Sequence, residues 1–265
     1  VFKTVVSSAP RFSRSHREAK VKSLLGLASI AALLLLWWLA AKGLDNRFFP
    51  TPGAVFSAFL IEWQLGDLLH HLSATLGRVV VSFSVAMVIG GIIGIVLGRQ
   101  AKADWFFDSW LILMLNLPAL VVMVLCYIWF GLTDFAAILA VIINKVPNVA
   151  VTVREGARAL DRDLSEMATL YRFNRWATLR HVILPQLNSY FAAAARSGLA
   201  LVWKIVLVVE LLGRSSGVGF QIHLAFQTFD VAIILAYAFS FIAVVQMIEW
   251  LILKPWEQGA NRWRR

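Results

Sequence analysis

Four stretches of this chain, residues 23–41, 79–98, 109–133 and 231–248, contain no charged side chain. Each matches the roughly 20 apolar residues that carry a helix across a bilayer core. Two more stretches are as apolar but interrupted, 135–153 by Lys145 and 187–212 by Arg196, Lys204 and Glu210. In hydrocarbon the backbone must satisfy its own N–H and C=O groups. Segments this long are therefore helices, and the short alternating strands of a barrel do not fit. The sequence predicts an all-α, polytopic membrane protein with six transmembrane helices, at about residues 23–41, 75–98, 106–132, 135–153, 187–212 and 230–253. Composition agrees, with 60% hydrophobic and 15% charged residues, against about 25% charged in soluble domains. Disorder needs low hydrophobicity and is excluded on the same ground. The lone Cys126 excludes a disulfide framework or a zinc site built on several thiolates. The first span, with Trp37 and Trp38, is too long for a cleaved signal peptide. Trp105 and Trp129 would bracket a straight third span about 36 Å apart, as interfacial aromatics do.

A net charge of +10 raises the question of nucleic acid, which the placement of the cations answers. They gather in the tail 1–22 (Lys3, Arg11, Arg14, Arg17, Lys20, Lys22) and near Arg99 and Lys102. They recur through the loop 154–186 (Arg154, Arg158, Arg162, Arg172, Arg175, Arg180) and in the tail 255–265, with Lys254 at its edge. The opposite loops keep Lys42, Arg47 and Arg214, with Arg78 near an outer helix end. That asymmetry is the positive-inside pattern of a protein with both termini cytoplasmic. The lipid bilayer is the expected partner of the basic residues, and no nucleic acid is.

Catalytic and nucleotide-binding motifs are missing. No Gly-x-x-x-x-Gly-Lys-Ser/Thr loop occurs, and residues 213–219 (GRSSGVG) read as a turn between the last two spans. His70 and His71 diverge by about 100° on a helix and read as an exposed loop pair rather than a metal site. Residues 51–63 read as a short outer helix with Phe56, Leu60 and Trp63 on one face, against bilayer or bundle. Gly90, Gly94 and Gly98 repeat every fourth residue and let a second backbone approach, either within the chain or across a dimer seam. Lys145, Arg196, Lys204 and Glu210 are costly in hydrocarbon, so they line a path for an anionic solute or form structural pairs between helices. Asn116 with Pro118, and Asn144 with Pro147, disturb the third and fourth spans. Broken backbone at membrane depth lines cavities, which makes spans three to five the candidate pathway.

The inner loop 154–186 is long for a compact chain. Leu164, Met167, Ala168 and Tyr171 fall at i, i+3, i+4, i+7 and form one apolar stripe. Asp163 is placed to cap this helix, with Glu166 in its first turn, and Asn174 to cap the next. A short cytoplasmic helix with an apolar stripe either lies on the membrane or docks into a partner.

The stretch Glu166-Met167-Ala168-Thr-Leu-Tyr171-Arg172, followed after nine residues by Val182-Ile-Leu184-Pro185, resembles the EAA loop of ATP-binding-cassette importer permeases. That pattern is Glu-Ala-Ala, three residues, Gly, nine residues, Ile-x-Leu-Pro. Met167 stands where the second residue is Ala, and Arg172 where the family carries Gly. Elsewhere the chain resembles the nitrate/sulfonate/taurine permeases, in Phe49-Pro-Thr-Pro52, Thr75-Leu-Gly-Arg78, Trp129-Phe-Gly131, Arg196-Ser-Gly198, Trp203, Glu210 and Ser215-Ser-Gly217-Val-Gly219. The match is weaker at Asn116-Leu-Pro118.

The resemblance implies a type I importer permease fold in a bacterial inner membrane, with two permease copies forming the channel as a homodimer. It implies two cytoplasmic ATPase subunits that bind ATP and Mg, so that this chain holds no cofactor and is not itself an enzyme. It implies a periplasmic or extracellular solute-binding protein. Leu164, Glu166, Met167, Ala168, Tyr171, Arg172, Leu184 and Pro185 would be the ATPase-coupling residues. Two other classes compete. One is a stand-alone secondary transporter using the intramembrane charges, though no inverted repeat relates the two halves of the chain. The other is a poreless structural or signalling subunit.

Overall fold

The computed structural model describes the backbone of residues 12–44 and 46–261; side chains are described from residue 24 onward, except those of residues 45, 258 and 260–265. Lys3, Arg11, Arg262, Arg264 and Arg265 of the expected basic tails lie outside the described residues. The described chain is helical and contains no strand. Its helices are α1 (Phe12–Leu44), α2 (Pro52–Gln64), α3 (Leu68–Arg99), α4 (Ala101–Asn116), α5 (Ala119–Phe130) and α6 (Asp134–Arg158). They continue as α7 (Arg162–Leu170), α8 (Arg175–Thr178), α9 (Leu184–Gly213), α10 (Val218–Gln227), α11 (Val231–Ile248) and α12 (Lys254–Asn261). Among the described residues five helices are long and apolar enough to cross a membrane, and the pair α4 and α5 makes six if it counts as one span.

That pair is the main departure from the expected spans. The third span is not straight: α4 and α5 meet at 92° across Leu117 and Pro118. Trp105 and Trp129 therefore do not bracket one axis. Pro118 has no N–H to continue the α4 ladder, and Leu117 before it takes the extended backbone that a following proline favours. Pro147 carries the same signal, yet α6 runs through it unbroken. The difference is enclosure. Pro147 is buried and α6 is packed by α3, α4, α5 and α9, whereas α4 buries only Asp104 and Leu111.

α3, α6 and α9 form the centre, with Val79, Val141, Val202, Val206 and Tyr237 among its most buried side chains. Lipid is as apolar as these residues, so close packing and polar pairs, rather than escape from water, hold membrane helices together. Gly90, Gly94 and Gly98 supply the close packing within the chain. A Cβ on Gly90 would stand 2.7 Å from Val149 Cβ, one on Gly94 2.6 Å from the Ala150 carbonyl oxygen, and one on Gly98 2.5 Å from Ala157 Cβ. α3 also begins earlier than expected, at Leu68, which puts His70 and His71 on a helix.

Two π turns punctuate the long helices. Residues 179–183 precede Leu184-Pro185, and residues 249–253 precede Lys254-Pro255. In each, the residue before the proline bonds five back, Leu184 N–H to Leu179 and Lys254 N–H to Glu249. The wider turn accommodates a ring that would otherwise press on the carbonyl four residues earlier. The fifth span is thereby continuous with α8, from Arg175 to Gly213.

Candidate functional site

The inner loop folds as two short helices joined by a tight reversal. Asp161, not Asp163, caps α7: its backbone is extended and its carboxylate accepts the Asp163 N–H at 2.8 Å. Asp163 instead lies in the first helical turn, where negative charge suits the helix dipole. At the other end the Phe173 N–H donates to the Ala168 carbonyl at 2.9 Å and the Arg172 N–H to that of Thr169 at 3.0 Å. These paired bonds are a Schellman closure, which places Arg172 in the left-handed region at φ 54°. The EAA pattern has glycine at this position, the residue that adopts it without strain. Asn174 then caps α8 by accepting the Ala177 N–H at 2.6 Å.

The apolar stripe divides in two. Ala168 is 2% exposed and seats α7 on the bundle, while Tyr171 is 69% exposed and Leu164 and Met167 are also exposed. The loop adds Leu170, Phe173 and Trp176, all exposed, which the helical period of α7 did not flag. Glu166 lies outward beside Arg162 at 3.1 Å. Leu184 and Pro185 are exposed where α9 begins. Leu164, Met167, Leu170, Tyr171, Phe173 and Trp176 thus give this loop an exposed apolar and aromatic platform.

The intramembrane charges separate. Arg196 is exposed on α9 and pairs with Glu257 of α12 at 2.5 Å. Lys204 is exposed on the same helix. Asn116 is exposed and its amide donates to the Ile112 carbonyl at 2.7 Å, ending α4. Asn144 is half-buried and donates to the Ala140 carbonyl at 2.8 Å. Lys145 and Glu210 are buried, at 2% and 0% exposure.

Glu210 is the hub of a polar cluster where α3, α6, α9 and α10 meet. It accepts from Arg78 Nη1 at 2.6 Å, Thr75 Oγ1 at 2.8 Å and the Gly219 N–H at 3.0 Å. Arg78 also donates from Nε to Asp134 at 2.8 Å and reaches both Ser216 oxygens, while Arg214 pairs with Asp134 at 3.1 Å. His71, expected in an exposed loop, is buried and its Nδ1 accepts the Gly217 N–H at 3.0 Å. Gly217 has φ 113°, and a Cβ there would collide with the Glu210 carboxylate. Residues 213–219 are therefore more than a turn, because they start α10 against a buried carboxylate. Nothing local in sequence signals the partner of Arg78, which lies 132 residues away.

A second ion cluster lies at the opposite end. Arg154 of α6 meets Asp108 at 2.6 Å and Asp104 at 3.1 Å, both on α4, and Arg158 also pairs with Asp104. It fixes the start of α4 to the end of α6.

Comparison with known proteins places this geometry. The chain is 28% identical over 196 residues to the putative aliphatic sulfonates transport permease protein SsuC of Bacillus subtilis, covering 73% of this chain and 71% of the relative. It is 25% identical over 246 residues to the taurine transport system permease protein TauC of Escherichia coli, covering 90% and 89%. It is 26% identical to the bicarbonate transport system permease protein CmpB of Synechococcus elongatus, covering 83% of each. Other relatives are named for riboflavin and for glycine betaine/carnitine. Among solved structures, an inward-facing MetNI methionine ABC transporter chain superposes with a TM-score of 0.61 at 18% identity, covering 71% of this chain and 93% of that one, which shows a shared fold. The family profile described as binding-protein-dependent transport system inner membrane component matches residues 86–252, a span from the glycine face of α3 through the inner loop to the second π turn. With most of its bundle inside that match, the chain belongs to the binding-protein-dependent transport system inner membrane components, the permeases of ATP-binding-cassette importers.

Proposed function

We propose that this permease works as one of two identical copies in a bacterial inner membrane, with both termini cytoplasmic. Two separate ATPase subunits hold ATP and Mg beneath it, and a soluble binding protein delivers a small anionic solute from outside. The observation that carries the coupling role is the platform around α7. Leu170, Tyr171, Phe173 and Trp176 are exposed on a rigidly capped loop, and aromatic side chains held this way are the usual anchors of a protein interface. Closure of the ATPases would move the two α7 helices together and reverse the access of the cavity between the permease copies. The relatives' names span sulfonates, taurine, bicarbonate and riboflavin, so the anionic class rests on this chain's charges and the solute's identity is left to its binding protein. Of the pathway candidates, Arg196 is paired with Glu257 and Glu210 with Arg78, while Lys145 is buried with no paired acid among the described residues, which favours a negatively charged solute.

Reconstitution into proteoliposomes with the ATPase subunits and the binding protein tests this reading. Uptake of labelled taurine or methanesulfonate is expected to require both partners and ATP. Tyr171→Asp is expected to insert normally but to lose co-purification with the ATPase. Uptake without any ATPase subunit would overturn the proposal, as would unchanged co-purification of the variant.

A further inference from the structure

Lys145 sits at the middle of α6, eleven residues after Asp134 and thirteen before Arg158, so its Cα lies about 17 Å along the helix axis from the nearer end. Opposite it is Gly198, near the midpoint of α9. The Lys145 Cε and Nζ occupy the space where a side chain at position 198 would begin, so the ammonium is folded beneath α9 and is 2% exposed. Its three N–H donors have no hydrogen-bond or ion-pair partner among the described residues. Glu249 lines a pocket with Arg196, Leu199 and Ala200 of α9, and other acids serve the ends of the bundle. Glu210 and Asp134 are held by Arg78 at one end, and Asp104, Asp108 and Glu155 by Arg154 and Arg158 at the other. Glu257 holds Arg196.

Beside the lysine runs a polar stripe. Asn144, Asn148 and Thr152 recur every fourth residue on α6, all half-buried. Asn148 lies about 60° round the helix from Lys145 and Thr152 about 20°. Each donates one hydrogen bond to the carbonyl four residues earlier; Asn144 and Asn148 keep a second N–H that an anionic solute can accept, whereas Thr152 has spent its one O–H. A buried ammonium without a counter-ion is strongly disfavoured, and replacement by an apolar residue would be the simple remedy. A retained lysine, next to a polar stripe at mid-membrane, suits a position whose counter-ion arrives from outside.

We propose that Lys145 is the charge-recognising residue of a mid-membrane site for a small oxyanion, a sulfonate or carboxylate, with the free amide N–H groups of Asn144 and Asn148 as its further donors. This rests on the importer reading above and adds the residue that meets the solute's charge. In the described state α9 covers the ammonium at Gly198; the site opens where α6 and α9 part during the transport cycle, and the oxyanion then accepts the three N–H donors.

The test uses the complete complex with ATPase subunits and binding protein. Lys145→Met keeps the length of the side chain and removes the charge. It is expected to preserve assembly and the stimulation of ATP hydrolysis by loaded binding protein, while uptake falls roughly tenfold or more. As a readout that a merely structural lysine would not move, millimolar methanesulfonate is expected to raise the unfolding temperature of the solubilised wild-type permease–ATPase complex, without binding protein, above that in dimethyl sulfone, its uncharged analogue, at equal ionic strength. Lys145→Met is expected to erase that difference. Uptake by Lys145→Met within about twofold of wild type would overturn the proposal, as would equal responses of the wild type to the two compounds. If the variant does not assemble, the wild-type comparison decides alone. A wild-type complex without ATP-dependent uptake would overturn the importer reading, and the thermal comparison would still decide the lysine.

Discussion

Glu210 shows what a single charge does in this bundle. Its side chain is fully buried, and it is paired to Arg78, which is 7% exposed. Removing one partner of a buried pair leaves the other uncompensated, at a cost of about 3 kcal/mol or more. Arg78→Met leaves the fully buried Glu210 without its cation and is expected to destabilise the solubilised protein by about 3 kcal/mol in a denaturant titration; Glu210→Gln is expected to cost less, because Arg78 keeps Asp134. Arg78→Met with Glu210→Gln is expected to cost less than the sum of the two single changes, because the double variant buries no orphan charge. Additive losses would show that the pair is not coupled. At this scale the sequence was half-legible. Lys145 and Glu210 stood out as charges in apolar runs. The partners of Glu210 did not, because Arg78 and Thr75 are brought to it only by the packing of α3 on α9. His71 is buried rather than exposed for the same reason, since its partner Gly217 lies 146 residues away.

Elements were legible where the signal is local. The cap at Asn174 and the short helix that carries Leu164, Met167 and Ala168 are read within a few residues, and both form where the local pattern puts them. Breaks were harder. Pro118 and Pro147 carry the same local information, and only the packing around each decides that one bends the chain by 92° and the other does not. Arg172 is the clearest case of an element overriding a residue. The α7 closure needs a left-handed position, and the chain fills it with arginine at φ 54° although such a residue costs about 1 kcal/mol there relative to glycine. Phe229 closes α10 the same way at φ 55°. Arg172→Gly is therefore expected to stabilise α7 by about 1 kcal/mol, slowing hydrogen exchange of its amides roughly fivefold. Unchanged or faster exchange would mean that the arginine side chain contributes more than its backbone strain removes.

Whether α4 and α5 together cross the membrane is a question about the whole molecule, because it sets which loops share a side. A bent pair is either a broken span or a re-entrant loop that returns to the side it entered from. The ends of the pair distinguish these. Asp104, at the start of α4, is tied to Arg154 and Arg158 at the end of α6. The end of α5 is joined through residues 131–133 to the start of α6, and Leu132 accepts a hydrogen bond from Arg214 beyond the far end of α9. α6 separates these two ends by about 36 Å, enough to cross the hydrocarbon core. The pair therefore runs from one side to the other, and three crossings lie between the α2–α3 loop and α7. Leu65 is 86% exposed and Leu170 80% exposed, while the native Cys126 is buried. In a Cys126→Ala background in intact cells, a membrane-impermeant maleimide is expected to label Leu65→Cys directly, and Leu170→Cys only after permeabilisation. The inverse pattern would reverse the orientation that the basic loops imply. Labelling of both from outside would make the pair re-entrant, leave an even number of crossings, and put the α7 platform on the wrong side of the membrane to meet an ATPase.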